Sequence, residues 1–206
     1  MDNEINIGLK YSLPGTCGLV VCGGNSRRMG SDKSLLEYYD KPQRYHVCDM
    51  LQPFCETVFI SCNELQSNNI KDGYPFLKDD VAYNHIGPMA ALLTACKQFS
   101  QKNILLIGCD YPFLTATDLQ QFAANCKAEN NPVAFYNEQE DMYEPLLAWY
   151  PYQLFNKLKK MHGANQFSLQ HFLKDNGAGK FYPQNKNSIT SIDTHEDFIK
   201  ARNSIV

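Results

Sequence analysis

At 206 residues the chain is long enough to bury a full core and is most simply one domain. A hydrophobic content of 44% with 20% charged residues describes an ordinary globular protein and excludes a fibrous or low-complexity one. The net charge of -3 gives no support to a nucleic-acid surface, so small anionic ligands are expected rather than polymers.

Residues 1–16 read as a polar lead-in. They carry acids and no long apolar core, so no secretory signal is expected; no run approaches the length of a membrane span, and a cytoplasmic protein is expected. From Gly18 to Cys22 an uninterrupted apolar run suits a strand buried on both faces, and it ends abruptly at Gly23-Gly24. The following loop, GGNSRRMGSDK, has the makings of a phosphate cradle. Its paired glycines let the backbone approach an anion, Ser26 adds a hydroxyl donor, Arg27 and Arg28 add planar cationic forks, Gly30 permits a bend, and Lys33 brings an ammonium. The spacing is not that of a P-loop, because five residues separate Gly24 from Gly30 and Ser31-Asp32 follow; a GxGxxG fingerprint is absent.

Asp40-Lys41-Pro42 mark a turn before a helix from about Gln43 to Gln52, closed by Pro53. Thr57 to Cys62 reads as a second buried strand delivering Asn63, and Tyr74 to Leu77 as a short third strand before Asp79-Asp80. Gly87-Pro88 precede an apolar helix from Met89 to Phe99. A fourth strand, Asn103 to Gly108, runs into Cys109-Asp110-Tyr111-Pro112, and an acid at the end of a buried strand needs a reason. Asp118 to Cys126 is helical, Pro132 to Tyr136 and Pro145 to Trp149 are strands, and helical patterns occupy Pro151 to Met161 and Gln166 to Leu173. Ile189 to Ile192 then lead to a last helix reaching about Arg202, with Thr194 as N-cap and Asp197 in the first turn.

Strands alternating with helices predict a parallel or mixed sheet covered on both faces, with the loops after the strands along one edge. That topology gathers the phosphate loop, Asn63, Asp80 and Asp110 around one crevice. None of the eight cysteines forms a CxxC pair, and Cys17, Cys22, Cys62 and Cys109 lie in or beside strands; free buried thiols are expected rather than disulfides or zinc. Magnesium needs only one or two carboxylates beside phosphate oxygens and water, and Asp110 is the candidate ligand. The five histidines are scattered and suit structural or surface roles.

The stretch from Val21 to Lys33, VCGGNSRRMGSDK, resembles the signature LxGGxSxRMGxDK of the MobA-type molybdenum cofactor guanylyltransferases over thirteen positions. GCDYP resembles the family's PCDxP motif, with Gly108 in place of the first proline. Asp80 stands at the family offset, seven residues before Gly87, for the acid that contacts guanine; a carboxylate can accept from the N1 and N2 donors of that base, and Asp79 is the alternative. Asn63 matches a nucleotide-contacting asparagine.

The resemblance implies a single-domain Rossmann-like three-layer sandwich of the nucleotide-diphospho-sugar transferase type, α/β with a mostly parallel sheet, spanning residues 17–206. It implies that Val21, Cys22 and Gly23 offer backbone to the nucleotide, with Gly24 and Ser26 in the same loop. Arg28 and Lys33 would bind the triphosphate and stabilise charge, and Asp110 would hold Mg2+.

The implied reaction joins molybdopterin to the GMP part of GTP with loss of pyrophosphate. The implied partners are GTP, molybdopterin, and proteins that deliver the pterin or receive the cofactor in transient contact, with no nucleic acid and no membrane. Tyr143 to Ala148 resembles the family's pterin-side strand, and Gly163 to Leu173 its Gly/Ser helix start. The end departs: the family reads NxNTPE, and here Ser191 to Glu196 reads SIDTHE. Transfer of CMP to molybdopterin, transfer to a sugar phosphate, and a nucleotide-binding accessory role without turnover stand as alternatives.

Overall fold

The computed structural model describes residues 12–22, 32–71, 73–126 and 131–205. Seven strands and seven α-helices follow in chain order: β1 (Thr16–Val21), α1 (Gln43–Leu51), β2 (Thr57–Cys62), α2 (Glu64–Ser67), β3 (Phe76–Lys78), α3 (Met89–Gln98), β4 (Asn103–Gly108), α4 (Ala116–Asn125), β5 (Val133–Asn137), β6 (Met142–Tyr150), α5 (Phe155–Gly163), α6 (Leu169–Asp175), β7 (Gly179–Phe181) and α7 (His195–Ile205). All strands join one sheet in the order β3-β2-β1-β4-β6-β5-β7. β3, β2, β1 and β4 are mutually parallel, β6 runs against both β4 and β5, and β7 is parallel to β5. The result is the mostly parallel three-layer sandwich expected.

Alternation along the strands divides the core. Val20 and Cys22 of the β1 segment, with Leu105 and Ile107 of β4, face a cluster that takes in Val47 and Leu51 of α1 and Leu119 and Phe122 of α4. Leu19 and Val21, with Ile104 and Leu106, face Met89, Leu92 and Leu93 of α3, Leu158 of α5 and Leu173 of α6 on the other side. Successive side chains of a strand point to opposite faces, so a run with no polar residue can exist only where both faces are covered.

A third, smaller cluster docks α7: Ile192, Ala201 and Phe198 pack with Tyr38, and the Tyr38 and Phe198 rings meet edge to face at 5.1 Å. All eight cysteines are buried and unpaired, as the sequence leads one to expect. Among the described residues no helix is long and apolar enough to cross a membrane.

Several boundaries differ from the sequence reading for identifiable reasons. α4 begins earlier than Asp118 because Thr115 caps it: the Thr115 hydroxyl accepts from the Asp118 N–H while the Asp118 carboxylate reaches back to the Thr115 N–H. The helix expected from Gln166 starts only at Leu169, where Ser168 supplies the cap. The third strand is displaced to Phe76–Lys78 by its pairing with Ile60–Cys62. β7 and α2 have no counterpart in the periodicity, since three or four residues carry too little pattern.

Candidate active site

β1 is flanked by β2 on one side and β4 on the other, and the chain leaves it in one direction before returning on the other. In an open α/β sheet such a reversal opens a crevice at the carboxyl ends of the strands. Val21 and Cys22 reach this edge at the end of β1, Asn63 after β2, Asp79 and Asp80 after β3, and Cys109 and Asp110 after β4. The structure therefore brings together the described members of the expected site. Gly23, Gly24, Ser26 and Arg28 lie outside the described residues.

Lys33 enters from the far end of the loop. Asp32 anchors that end: one carboxylate oxygen accepts from the Ser34 N–H at 3.0 Å and hydroxyl at 2.8 Å, and the other accepts from the Gln66 amide at 2.9 Å. The Lys33 ammonium donates to the Ile192 carbonyl at 3.0 Å and to Asp193 Oδ1 at 2.5 Å.

Asp110 is half-buried, and its Oδ1 is sequestered without a hydrogen-bond partner among the described residues. Burial raises its pKa to about 6, against the pull of its own backbone hydrogen bond and of nearby Lys33. The carboxylate lies against Gly108, where an added Cβ would meet Asp110 Oδ1 and displace it. Cys22 and Cys109 sit side by side beneath it, where their contact and burial push the Cys109 thiol well above its ordinary value.

The remaining expected nucleotide contacts are already engaged locally. Asn63 Oδ1 caps α2 by accepting from the Gln66 N–H at 2.9 Å. Asp80 accepts from the Ala82 N–H at 2.9 Å and pairs with Lys97 at 2.7 Å, and these two contacts hold its carboxyl below the usual range. Each of its oxygens keeps a second lone pair for a ligand. Asp79 is more buried, accepts from the Ser61 hydroxyl at 2.7 Å, and has its pKa raised by desolvation.

The β5–β6 hairpin and residues 182–191 enclose a cavity of about 560 Å3, lined among others by Tyr136, Tyr143, Tyr182, Glu144, Lys186 and Ser191. Glu144 joins the cavity to the Asp110 loop, because the Tyr111 hydroxyl donates to its Oε2 at 3.0 Å. Burial raises Glu144 to about 7, while the Tyr111 hydrogen bond opposes the shift.

The MobA-like NTP transferase domain matches residues 18–180. The chain belongs to this family. A molybdenum cofactor biosynthesis bifunctional protein of Synechocystis is 32% identical over 148 residues, which covers 70% of this chain and 42% of that protein. A molybdenum cofactor guanylyltransferase of Shewanella loihica is 33% identical over 117 residues, covering 56% of the chain and 59% of the relative. The chain thus spans about half the length of these two relatives. A guanylyltransferase of Haemophilus influenzae is 26% identical over 184 residues, with 88% and 95% covered. Among solved structures, molybdopterin-guanine dinucleotide biosynthesis protein A of Archaeoglobus fulgidus shares the fold with a TM-score of 0.74 at 20% identity, covering 91% of this chain and 97% of that one.

Within this MobA-like site, three participants were not singled out by sequence reasoning. Gln66 ties α2 to Asp32, Glu144 is held by Tyr111, and Asp193 holds Lys33. Each acts across 33 to 160 positions of sequence, so no local spacing announces it. Glu144 left a trace only as part of the Tyr143 to Ala148 stretch, and Asp193 as a departure from the family's NxNTPE ending.

Proposed function

We propose that the chain transfers the GMP part of GTP to molybdopterin, releasing pyrophosphate and forming molybdopterin guanine dinucleotide. The observation that carries this reading is the convergence of Lys33, Asp110 and the end of the VCGGNSRRMGSDK stretch at the β1/β4 edge. The names of the relatives support the same substrates. A terminal phosphate oxygen of the pterin attacks the α-phosphorus, the bond from that phosphorus to the bridging oxygen breaks, and pyrophosphate departs with the electron pair. The nucleophile arrives as an anion, so the chain supplies position and charge rather than a base.

Val21, Cys22, Gly23, Gly24 and Ser26 receive the nucleotide, and Arg28 and Lys33 neutralise the triphosphate. The base is read by Asp80 with its unused lone pairs, with Asn63 beside it. Asp110 suits a divalent cation, which we take to be Mg2+: its Oδ1 is buried with no partner among the described residues, and a hard oxygen ligand of that kind is what magnesium takes. When bound, the cation offsets charge on the phosphate oxygens. The cavity lined by Tyr136, Tyr143 and Tyr182 lies on the acceptor side and takes the pterin, and the unit that does this work is residues 17–206 in the cytoplasm. Transient contact with pterin-delivering or cofactor-receiving proteins completes the reading.

Calorimetric titration with GTP and with CTP, each with magnesium and with chelator, tests it. Magnesium-dependent binding of GTP alone is expected; binding of CTP instead assigns the chain to cytidylyl transfer.

A further inference from the structure

The residues just before α7 form a strap across the site. The Ile192 N–H donates to the Asp110 carbonyl at 2.8 Å, and the Ile192 carbonyl accepts from the Lys33 ammonium at 3.0 Å. The Ile192 side chain is buried with Tyr38 and Ala201, which fixes the strap in place. Ser191, on its other side, lines the acceptor cavity. Asp193 is therefore stationed by a buried neighbour, and its carboxylate closes on Lys33 while remaining 56% exposed itself. Lys33 is only 18% exposed, and among the described residues the hydrogen bonds of its ammonium go to this strap.

We propose that Asp193 is a positioning residue that competes with the triphosphate for Lys33 and thereby sets how tightly the site holds its nucleotide. The inference rests on the nucleotidyl-transfer reading above. With Asp193 in contact, the charge of Lys33 is neutralised in the free protein. An incoming polyphosphate must take the ammonium from the carboxylate and then bear a like charge at close range. Release frees Lys33 without moving Ile192, because the backbone bond to Asp110 and the buried side chain hold the strap independently. The Asp193 position is one where the chain departs from the family's asparagine, which would offer Lys33 an amide oxygen without the negative charge.

The test compares the wild-type protein with Asp193→Asn, Lys33→Ala and the double variant, by calorimetry with inorganic tripolyphosphate, GTP and GMP, magnesium present throughout. Asp193→Asn is isosteric at an exposed side chain, so the fold is retained, and unchanged GMP binding checks it. The expected result is tighter binding of tripolyphosphate and GTP by about two- to fivefold, the scale of a partly exposed ion pair. GMP affinity should be unchanged, and the gain should disappear in the double variant.

A strap with a purely architectural role would shift GMP and GTP alike. Equal or weaker triphosphate binding by Asp193→Asn overturns the proposal, the weaker result meaning that the carboxylate assists the cation instead. If tripolyphosphate binds and responds as expected while GTP does not bind, the competition stands and the guanylyl-transfer reading falls. If neither binds to any variant, both fall.

Discussion

Asp110 is the proposed cation ligand, and its environment makes a pH prediction. Its folded pKa of about 6 lies above the ordinary aspartate value of about 3.9, because burial disfavours the charged form. Cation binding requires the carboxylate, so magnesium affinity should strengthen as pH increases through about 6 and weaken below it; an affinity unchanged between pH 5 and 8 would contradict this. The same shift has a stability consequence of opposite sign. Between about pH 4 and 6 the folded state binds more protons than the unfolded, so stability of the metal-free protein falls as pH rises through that window. Glu144, raised to about 7, extends the loss toward neutrality. Asp110→Asn should therefore raise Tm in chelator at pH 7.5 while abolishing turnover, and thermal melts of both proteins at pH 5 and 7.5 check it. Lys33→Ala should lower the rate by ~10²–10³, as expected for loss of one transition-state charge partner; near wild-type kinetics would remove Lys33 from the site.

Elements succeed or fail by their ends. Thr115→Ala removes the cap of α4 and should cost about 1 kcal/mol, or roughly 2–4 °C in Tm, with turnover per folded molecule unchanged. A melt that does not move would mean that the capping box contributes nothing. Sequence was most informative where an element is long and either apolar or capped: β1, β2, β4 and α3 lie close to their expected bounds, and Thr194 caps α7 with its hydroxyl accepting from the Asp197 N–H at 3.2 Å. It was least informative where pairing alone makes the element. β7 is a strand because Val133–Phe135 offer it a ladder, and the bounds of β3 follow β2. The site divides in the same way. Lys33 and Asp110 stand within contiguous motifs that can be read, whereas Gln66, Glu144 and Asp193 matter through distant contacts that only folding creates.

For the molecule as a whole, the sheet order is what turns separate motifs into a site. β1 lies between β2 and β4, so the ends of three consecutive parallel strands deliver Cys22, Asn63 and Asp110 to one edge, while the antiparallel β6 brings Glu144 back to the same edge from the opposite direction. The Asp110 loop and the 560 Å3 cavity are thus linked through the hydrogen bond between Tyr111 and Glu144. That geometry suits the transfer between two bound ligands proposed above. The most direct test is to incubate the purified chain with magnesium, GTP and molybdopterin, and to follow pyrophosphate release with identification of the pterin product by mass. Pyrophosphate released only when molybdopterin is present, together with the guanine dinucleotide, is the predicted result. Release without the pterin, or a product formed from CTP and not from GTP, would contradict it.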